Sequence, residues 1–267
     1  KAEIFYAYVP DSLGTYSCPH TAAAVKSLLP DTYIHELQHM ISFNQHVLAR
    51  GGNVEETWLN EGMSHTAEEL GSKLYEARYP APFGRRSPIQ LFPDSAAPFI
   101  QPQMLNAYVY LNAIRSHSVT SYNNGGSVEE RGATWLFLRW LADQKGESVL
   151  RALEQTSKTG IANVEAQSGE TFGALFGDFG VSLFTDSLVG RPRSVIPSRY
   201  RFKSRNLRGL MAREATIQTF PHPFPLPGFV FVNGHGLSAD MLPGTFKHAV
   251  LVTSGSPSVA PMVSLRF

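Results

Sequence analysis

The chain has 267 residues, a formal net charge of +1 and 17% charged side chains, below the roughly 25% of an average soluble protein. Because basic and acidic side chains are nearly equal in number, the chain lacks the excess positive charge that nucleic-acid binding requires. No apolar run is long enough to predict a membrane span. An apolar content of 43% excludes a disordered chain.

The front of the chain predicts one strand and two helices. The apolar run at 4–9 has the composition of a strand. Asp31 is a good N-cap for a helical pattern that ends at Gly51. Asn53 and Glu56 then have the spacing of a capping box and open a second helix.

The rest of the chain predicts a helical block and a β-rich tail. A capping box at Ser127 and Glu130 opens the most strongly patterned helix of the block, which ends at Gly146. Further helices are predicted at 103–117, 147–157 and 170–188, and short β-rich runs at 229–232, 247–253 and 259–267.

Three regions follow from this order. They are an N-terminal region at 1–95, a helical domain at 96–190 and a β-rich segment at 191–267. Because residue 1 is Lys rather than Met and a strand follows almost at once, we expect a processed or N-terminally truncated chain whose targeting segment is missing.

The motif with the clearest chemistry is His35-Glu36-Leu37-Gln38-His39, an H-E-x-x-H sequence. Residues i and i+4 of a helix share one face, so His35 and His39 can reach the same Zn²⁺. Glu36 then lies beside the metal, where it can take a proton from a zinc-bound water. The alternative interpretation is a pair of histidines that pack on an amphipathic helix.

A catalytic zinc site needs a third protein ligand and an open position. Glu61 is the candidate, because it lies on the second predicted helix, which can fold back across the first after the glycine turn at Gly51.

The motif His-Glu-Leu-Gln-His, followed by the motif Trp-Leu-Asn-Glu-Gly at 58–62, resembles the gluzincin zinc metallopeptidases and is most similar to the hyicolysin-type peptidase family. The resemblance covers about 31–70 and 127–186. It implies that His35, His39 and Glu61 bind zinc and that Glu36 is the general base. It also implies an α+β, zincin-like catalytic domain with an active-site helix, followed by a helical domain and the β-rich C-terminal segment, in a bacterial-type protein that is secreted, periplasmic or on the cell surface.

The sequence departs from that family at one orienting position. Thermolysin-like gluzincins carry an Asp four residues after the ligand Glu, where it orients a zinc-bound histidine; here that position is His65. Either His65 or Glu68 could take this role, and Glu68 shares a helical face with Glu61. Two alternatives stay open: His65 as a ligand itself, and Glu68 as part of a solvated face.

Peptide hydrolysis also needs a group that stabilises the oxyanion as the carbonyl becomes tetrahedral. Gluzincins take a Tyr or His for this role from the helical domain, and Tyr122, in a Gly- and Asn-rich loop, is the candidate here. The competing residues are Tyr108, Tyr110, His117 and Arg131.

The sequence therefore predicts a zinc-dependent endopeptidase that hydrolyses a peptide or protein substrate by attack of a zinc-bound water, which Glu36 activates. Two alternatives remain at this point. One is an aminopeptidase or another zinc hydrolase on the same site, and the other is a non-catalytic surface protein with structural zinc.

Overall fold

The computed structural model describes residues 4–78, 96–114, 116–122, 125–186, 193–207, 249–252 and 262–265. These residues form seven α-helices: α1 (Ala22–Phe43), α2 (Thr57–Arg78), α3 (Ala97–Asn112), α4 (Val128–Lys145), α5 (Ser148–Glu154), α6 (Gly160–Ser168) and α7 (Phe172–Thr185). Strands β1 (Ala249–Val252) and β2 (Met262–Leu265) pair antiparallel.

Helix α1 begins nine residues before the predicted N-cap. Thr21, in an extended conformation, accepts a hydrogen bond from the backbone N–H of Ala24, and the helix runs through Pro30. The prediction that Asp31 caps the helix was therefore wrong, because Thr21 already satisfies a free N–H of the first turn. A π-helical turn at Asn44–Leu48 follows α1, and Gly51, with a φ of +63°, ends the segment as predicted.

Helix α4 forms the centre of the core. Its predicted capping box is confirmed, because the Ser127 hydroxyl accepts from the Glu130 N–H while the Glu130 carboxylate accepts from the Ser127 N–H. The helix packs against α2, α3 and α7. Its fully buried side chains include Trp135, Leu136, Phe137, Leu138 and Trp140. This core fixes the position of α2, and therefore the position of the α2 face that packs against α1.

Gly132 allows α3 and α4 to cross closely. A Cβ at this position would lie 2.2 Å from the backbone carbonyl carbon and oxygen of Asn106. We predict that Gly132→Ala lowers the free energy of unfolding by about 1–3 kcal/mol, since the helix backbones must move apart. Chemical denaturation measures the change. Gly177→Ala is the matched control, because a Cβ there meets nothing within 4 Å; equal stability of the two variants would contradict the prediction.

The α+β, zincin-like prediction with a β-rich C-terminal segment was wrong. Residues 4–9 are not a strand: they lack a partner strand among the described residues, and Tyr6 and Tyr8 project into solvent. A single strand cannot satisfy its own N–H and C=O groups, so apolar composition alone does not form one. The only pairing described near it is the bridge between Asp11 and His20.

The tail differs from its prediction as well. Residues 193–207 contain short 3₁₀ turns at Arg193–Val195 and Ser198–Tyr200. In the described part of the tail, strands β1 and β2 form one two-stranded ribbon, which is too little for a β-rich domain. The predicted run at 229–232 and the predicted boundary positions 95 and 190 lie outside the described residues.

A buried ion cluster ties residues 193–207 to α2 and α4. The Glu69 carboxylate, with no exposed surface, lies 3.1 Å from Arg139 Nη1 and 2.6 Å from Arg205 Nε. Arg205 also contacts Glu76 at 3.0 Å, and Arg139 contacts Asp143 at 3.0 Å. Each buried cation therefore faces carboxylates on more than one side.

No helix within the described ranges has the length and apolar character that a membrane crossing requires.

Candidate metal centre

Helices α1 and α2 pack side by side and bring three predicted ligands together. His35 Nε2 lies 3.2 Å from His39 Nε2 across one turn of α1. From α2, Glu61 places one carboxylate oxygen 3.6 Å from His35 Nε2 and the other 3.6 Å from His39 Nε2. The three residues thus form one compact group of two imidazole nitrogens and a carboxylate.

This group fits zinc. Two ligands of a tetrahedral Zn²⁺ lie about 3.3–3.4 Å apart when each bond is about 2.0–2.1 Å long. The observed separations of 3.2, 3.6 and 3.6 Å bracket that distance. The side chains of His35, His39 and Glu61 remain 13%, 22% and 16% exposed. The three side chains are therefore partly open to solvent, as those of a catalytic zinc site would need to be.

The charges of the group also favour a cation. Burial opposes ionisation of His35, but the carboxylates of Glu61 and Glu68 outweigh it and raise the pKa of His35 to about 9. Burial likewise opposes ionisation of Glu61, yet His35, Arg131 and His39 hold its pKa below the ordinary value. Both carboxylates are ionised at neutral pH, and a metal ion bound to His35 Nε2 would take the place of the proton that they hold on the imidazole.

Glu68 holds the outer nitrogen of His35. Its Oε1 lies 2.5 Å from His35 Nδ1, and Gln103 donates to its Oε2. A spacing of 2.5 Å is that of a hydrogen bond and too short for two ligands of one zinc ion. Burial opposes its ionisation, but hydrogen bonds from His35 and His65 keep the pKa of Glu68 at about 2. Such a carboxylate fixes the tautomer that leaves Nε2 free for a metal.

His65 lies behind this pair and groups with His35 and Glu68 rather than with His39. Its Nδ1 is 3.2 Å from Glu68 Oε1, and its ring packs edge-on against the ring of His35 with centroids 4.9 Å apart. This placement lets His65 support Glu68 and the ring of His35.

Asp31 joins the same cluster, although the sequence interpretation gave it only a capping role. It lies one turn before His35 on α1 and faces Glu68. Burial, together with the charge and hydrogen bond of Glu68, raises the pKa of Asp31 to about 7. Its spacing of four residues before His35 was the signal that could have placed it here.

Glu36 lies next to His35 on α1, and its side chain is exposed to solvent. Within the described ranges, its carboxylate has no hydrogen-bond or ion-pair partner. A general base must reach a water beside the metal, and the exposed carboxylate of the residue next to His35 is the candidate for that role.

The candidates for the oxyanion-stabilising group differ in their surroundings. Tyr108 and Tyr110 are buried in the core. The Tyr122 hydroxyl lies 2.9 Å from Thr134 Oγ1 and 3.0 Å from the Glu130 carbonyl, so it already has protein partners. Burial, together with the charge of Glu61, raises the pKa of Tyr122. To reach a substrate, the hydroxyl has to leave those partners.

Arg131 lies beside one of the three ligands. Its Nη2 lies 3.6 Å from Glu61 Oε2 and 3.2 Å from the Gly125 carbonyl, and its side chain is 34% exposed. A guanidinium at the open edge of the site can contact a developing oxyanion without rearrangement of the core. His117 lies further along the same edge, 4.0 Å from Glu130 Oε1.

We predict that Arg131→Met lowers kcat about 10²–10³-fold with unchanged zinc content, because that is the cost of losing one oxyanion donor. Tyr122→Phe, which tests the sequence prediction, should keep kcat near the wild-type level, because the Tyr122 hydroxyl already contacts Thr134 and Glu130. Metal content and kcat are measured for both variants. A large loss in Tyr122→Phe, together with wild-type turnover in Arg131→Met, would return the role to Tyr122.

Glu154 was not recognised from the sequence. Its position on α5 leaves it largely buried near Gln38 and Glu55, and burial is the main cause that raises its pKa to about 7. The folded protein therefore holds this proton more tightly than the unfolded chain does. Its contribution to stability is fully present below about pH 4.5 and is lost as pH rises to about 7.

We predict that Glu154→Gln removes this pH dependence. The variant should gain on the order of 1–3 kcal/mol of stability relative to wild type at pH 8 and little at pH 4.5. Denaturant unfolding at both pH values of both proteins measures the difference. An equal effect of the substitution at the two pH values would contradict the raised pKa.

Comparison of the chain with protein-family models, with curated proteins and with solved structures finds no match. The chemistry of this site is therefore inferred from its own residues.

Proposed function

We propose that this chain is a zinc-dependent peptidase, and specifically an endopeptidase. One observation carries the proposal: two histidine nitrogens and a carboxylate lie at the mutual distances of zinc ligands, at a site open to solvent and beside an unpaired glutamate. A structural site would be closed by a fourth protein ligand and would have no use for Glu36.

The proposed reaction needs residues that bind the metal and a residue that transfers the proton. His35, His39 and Glu61 would hold the metal, and Zn²⁺ in that position supplies a Lewis acid that polarises the scissile carbonyl and acidifies water. Glu36 accepts the proton of the attacking water and delivers it to the nitrogen of the departing amine. In the overall reaction, water adds across the peptide bond to give a carboxylic acid and an amine.

Other residues prepare the site. Glu68, itself held by a hydrogen bond from Gln103, accepts from Nδ1 of His35, which keeps the ring oriented with Nε2 toward Glu61. Arg131, with its exposed guanidinium beside Glu61, offers a positive charge where the carbonyl oxygen becomes anionic. Both effects act before the reaction begins, because the protein has already placed these groups.

Metal analysis of the purified protein tests the ligand assignment. We expect about one zinc per chain, loss of peptide cleavage on chelation, and recovery when zinc is restored. His39→Ala should lose the metal, whereas His20→Ala, outside the site, should retain it. A wild-type protein that binds no zinc, or a zinc-loaded protein that cleaves no peptide in a broad library, would overturn the proposal.

A second comparison tests the kind of peptidase. An endopeptidase cleaves peptides with a blocked N-terminus and free peptides alike, whereas an aminopeptidase needs the free amine. We expect cleavage of both forms at internal bonds, read by mass spectrometry of the products. Cleavage restricted to the first residue of free peptides would replace the endopeptidase by the aminopeptidase alternative.

A further inference from the structure

The chain before α1 doubles back to form a loop at residues 9–20. Asp11 and His20 close this loop as an antiparallel bridge, in which the backbone N–H of each residue donates to the carbonyl of the other at 2.9 Å. Thr21, the N-cap of α1, follows His20 directly. The loop therefore joins the exposed segment at 4–9 to the first turn of α1.

Both ring nitrogens of His20 contact backbone carbonyl oxygens. Nδ1 lies 2.6 Å from the carbonyl oxygen of Cys18, within the loop. Nε2 lies 2.6 Å from the carbonyl oxygen of Val9, the last residue of the segment at 4–9. The ring of Tyr8 packs edge-on against that of His20, with centroids 5.4 Å apart. One imidazole thus fastens the segment to the start of α1.

These two contacts determine the protonation state of the ring. A carbonyl oxygen only accepts hydrogen bonds, so each of the two nitrogens has to donate. A neutral imidazole has one N–H and one lone pair, and it would place that lone pair against a carbonyl oxygen. Only the imidazolium ion donates from both nitrogens. The closed loop therefore requires a charged His20.

Little burial holds the segment at 4–9 elsewhere. The ring of Phe5 packs against the ring of Tyr33 on α1, with centroids 4.6 Å apart. The side chains of Tyr6 and Val9 are mostly exposed and bury little apolar surface. A segment with so few buried contacts opens locally at small cost. Its place beside α1 therefore depends on the contact between His20 and the Val9 carbonyl.

From this geometry we propose that His20 is a pH-sensitive latch, which fastens residues 4–9 to the start of α1. The charged ring holds the carbonyls of Val9 and Cys18 at its two nitrogens. Loss of one ring proton breaks one of these contacts and lets the segment leave α1. None of the proposed metal ligands takes part. The latch therefore goes beyond the proposed function and does not depend on it.

The surroundings of the ring set the pH at which the latch opens. Hydrogen bonds to the carbonyls of Cys18 and Val9 raise the pKa of His20 above its ordinary value of 6.5, and the charge of Asp11 adds to this effect. Among the described residues, Asp11 supplies the charge that acts on the ring, while the neighbouring ring of Tyr8 is neutral. The stabilisation of the closed loop is therefore fully present below pH 6.5 and is lost as pH rises through the raised pKa.

Asp11 keeps the loop folded at acid pH. Its carboxylate accepts hydrogen bonds from the backbone N–H groups of Thr15 at 2.9 Å, Tyr16 at 2.8 Å and Ser17 at 3.3 Å. The bonds from Tyr16 and Thr15 are the main causes that hold the pKa of Asp11 below its ordinary value of 3.8. Their contribution is present above pH 3.8 and is lost as pH falls through the lowered pKa. The latch is therefore closed from acid to near-neutral pH.

NMR titration of the His20 ring in the full chain tests the latch. We expect a pKa above 6.5 in the folded protein, with nitrogen shifts that mark both ring nitrogens as protonated at about pH 6. The backbone amides of Asp11 and His20 give an independent measure. Their protection from solvent exchange, corrected for the intrinsic rate, should fall between about pH 6 and about pH 9. The expected factor is about ten raised to the difference between the pKa of His20 in the folded and in the urea-unfolded chain.

His20→Gln removes the charge and keeps a polar side chain. We expect low protection of the Asp11 amide at both pH values, because a side-chain amide donates from one end only. His117→Gln is the matched control: His117 is a partly exposed histidine between α3 and α4, and its loss should leave the pH dependence of the latch unchanged. Circular dichroism shows that both variants fold.

A His20 pKa at or below 6.5 in the folded protein would overturn the latch. Equal protection of the Asp11 amide at the two pH values in the wild type would overturn it as well. Zinc content is measured on the same samples and should be about one ion per chain in His20→Gln. Failure of the latch is therefore distinguishable from failure of the proposed function.

Discussion

Replacing Glu36 by Gln is expected to lower kcat about 10²–10⁴-fold, the range that general acid–base catalysis contributes. Zinc content should remain at about one ion per chain, because Glu36 is not in the ligand group of His35, His39 and Glu61. Gln has the shape of Glu but cannot accept and return a proton. The loss should therefore fall on turnover, with little change in KM.

Steady-state kinetics on a blocked peptide, with metal analysis of the same samples, gives this result. Glu170→Gln is the matched control, since Glu170 lies in ion pairs with Lys145 and Arg199 on the surface. The control should keep wild-type kcat. Wild-type kcat in zinc-loaded Glu36→Gln would show that another group is the base.

Replacing Glu69 by Ala is expected to lower the free energy of unfolding by about 3–5 kcal/mol, the cost of leaving a buried charge unpaired. Arg139 and Arg205 are 1% and 4% exposed and both contact Glu69. Without that carboxylate, two guanidinium groups stay buried beside each other. Arg139 keeps Asp143, and Arg205 keeps Glu76, which offset only part of the loss.

Urea unfolding of the metal-free protein measures this effect apart from the zinc site. Glu170→Ala is the control for an exposed ion pair and should change stability by less than about 1 kcal/mol. Equal changes in the two variants would mean that the buried cluster contributes no more than a surface pair.

Sequence-based prediction worked best for short patterns whose local geometry does not depend on the rest of the fold. The spacing of His35 and His39 places both rings on one helix face whatever the rest of the fold does. The capping box at Ser127 and Glu130 is equally local, and it formed as predicted. Glycine at Gly51 also ended its segment, since a positive φ suits no other residue as well.

Glu61 reaches the two histidines as predicted, but other signals that depend on distant partners failed. The apolar run at 4–9 has strand composition, but a strand exists only beside another strand, and the described residues provide none. Asp31 has the properties of a cap, yet Thr21 caps α1 earlier and leaves Asp31 to face Glu68. The contact between Gln38 and Glu154 spans 116 positions, so no local pattern could indicate it.

The buried Arg205 affects how residues 193–207 unfold. Its guanidinium joins residues 193–207 to the buried carboxylate of α2, and Lys203 and Ser204 donate backbone N–H groups to Asp143 of α4. This segment cannot detach without exposing charges at the centre of the helical core. Amide hydrogens at 203–204 should therefore exchange with deuterium only in the global, cooperative opening of that core, and not by local opening of residues 193–207.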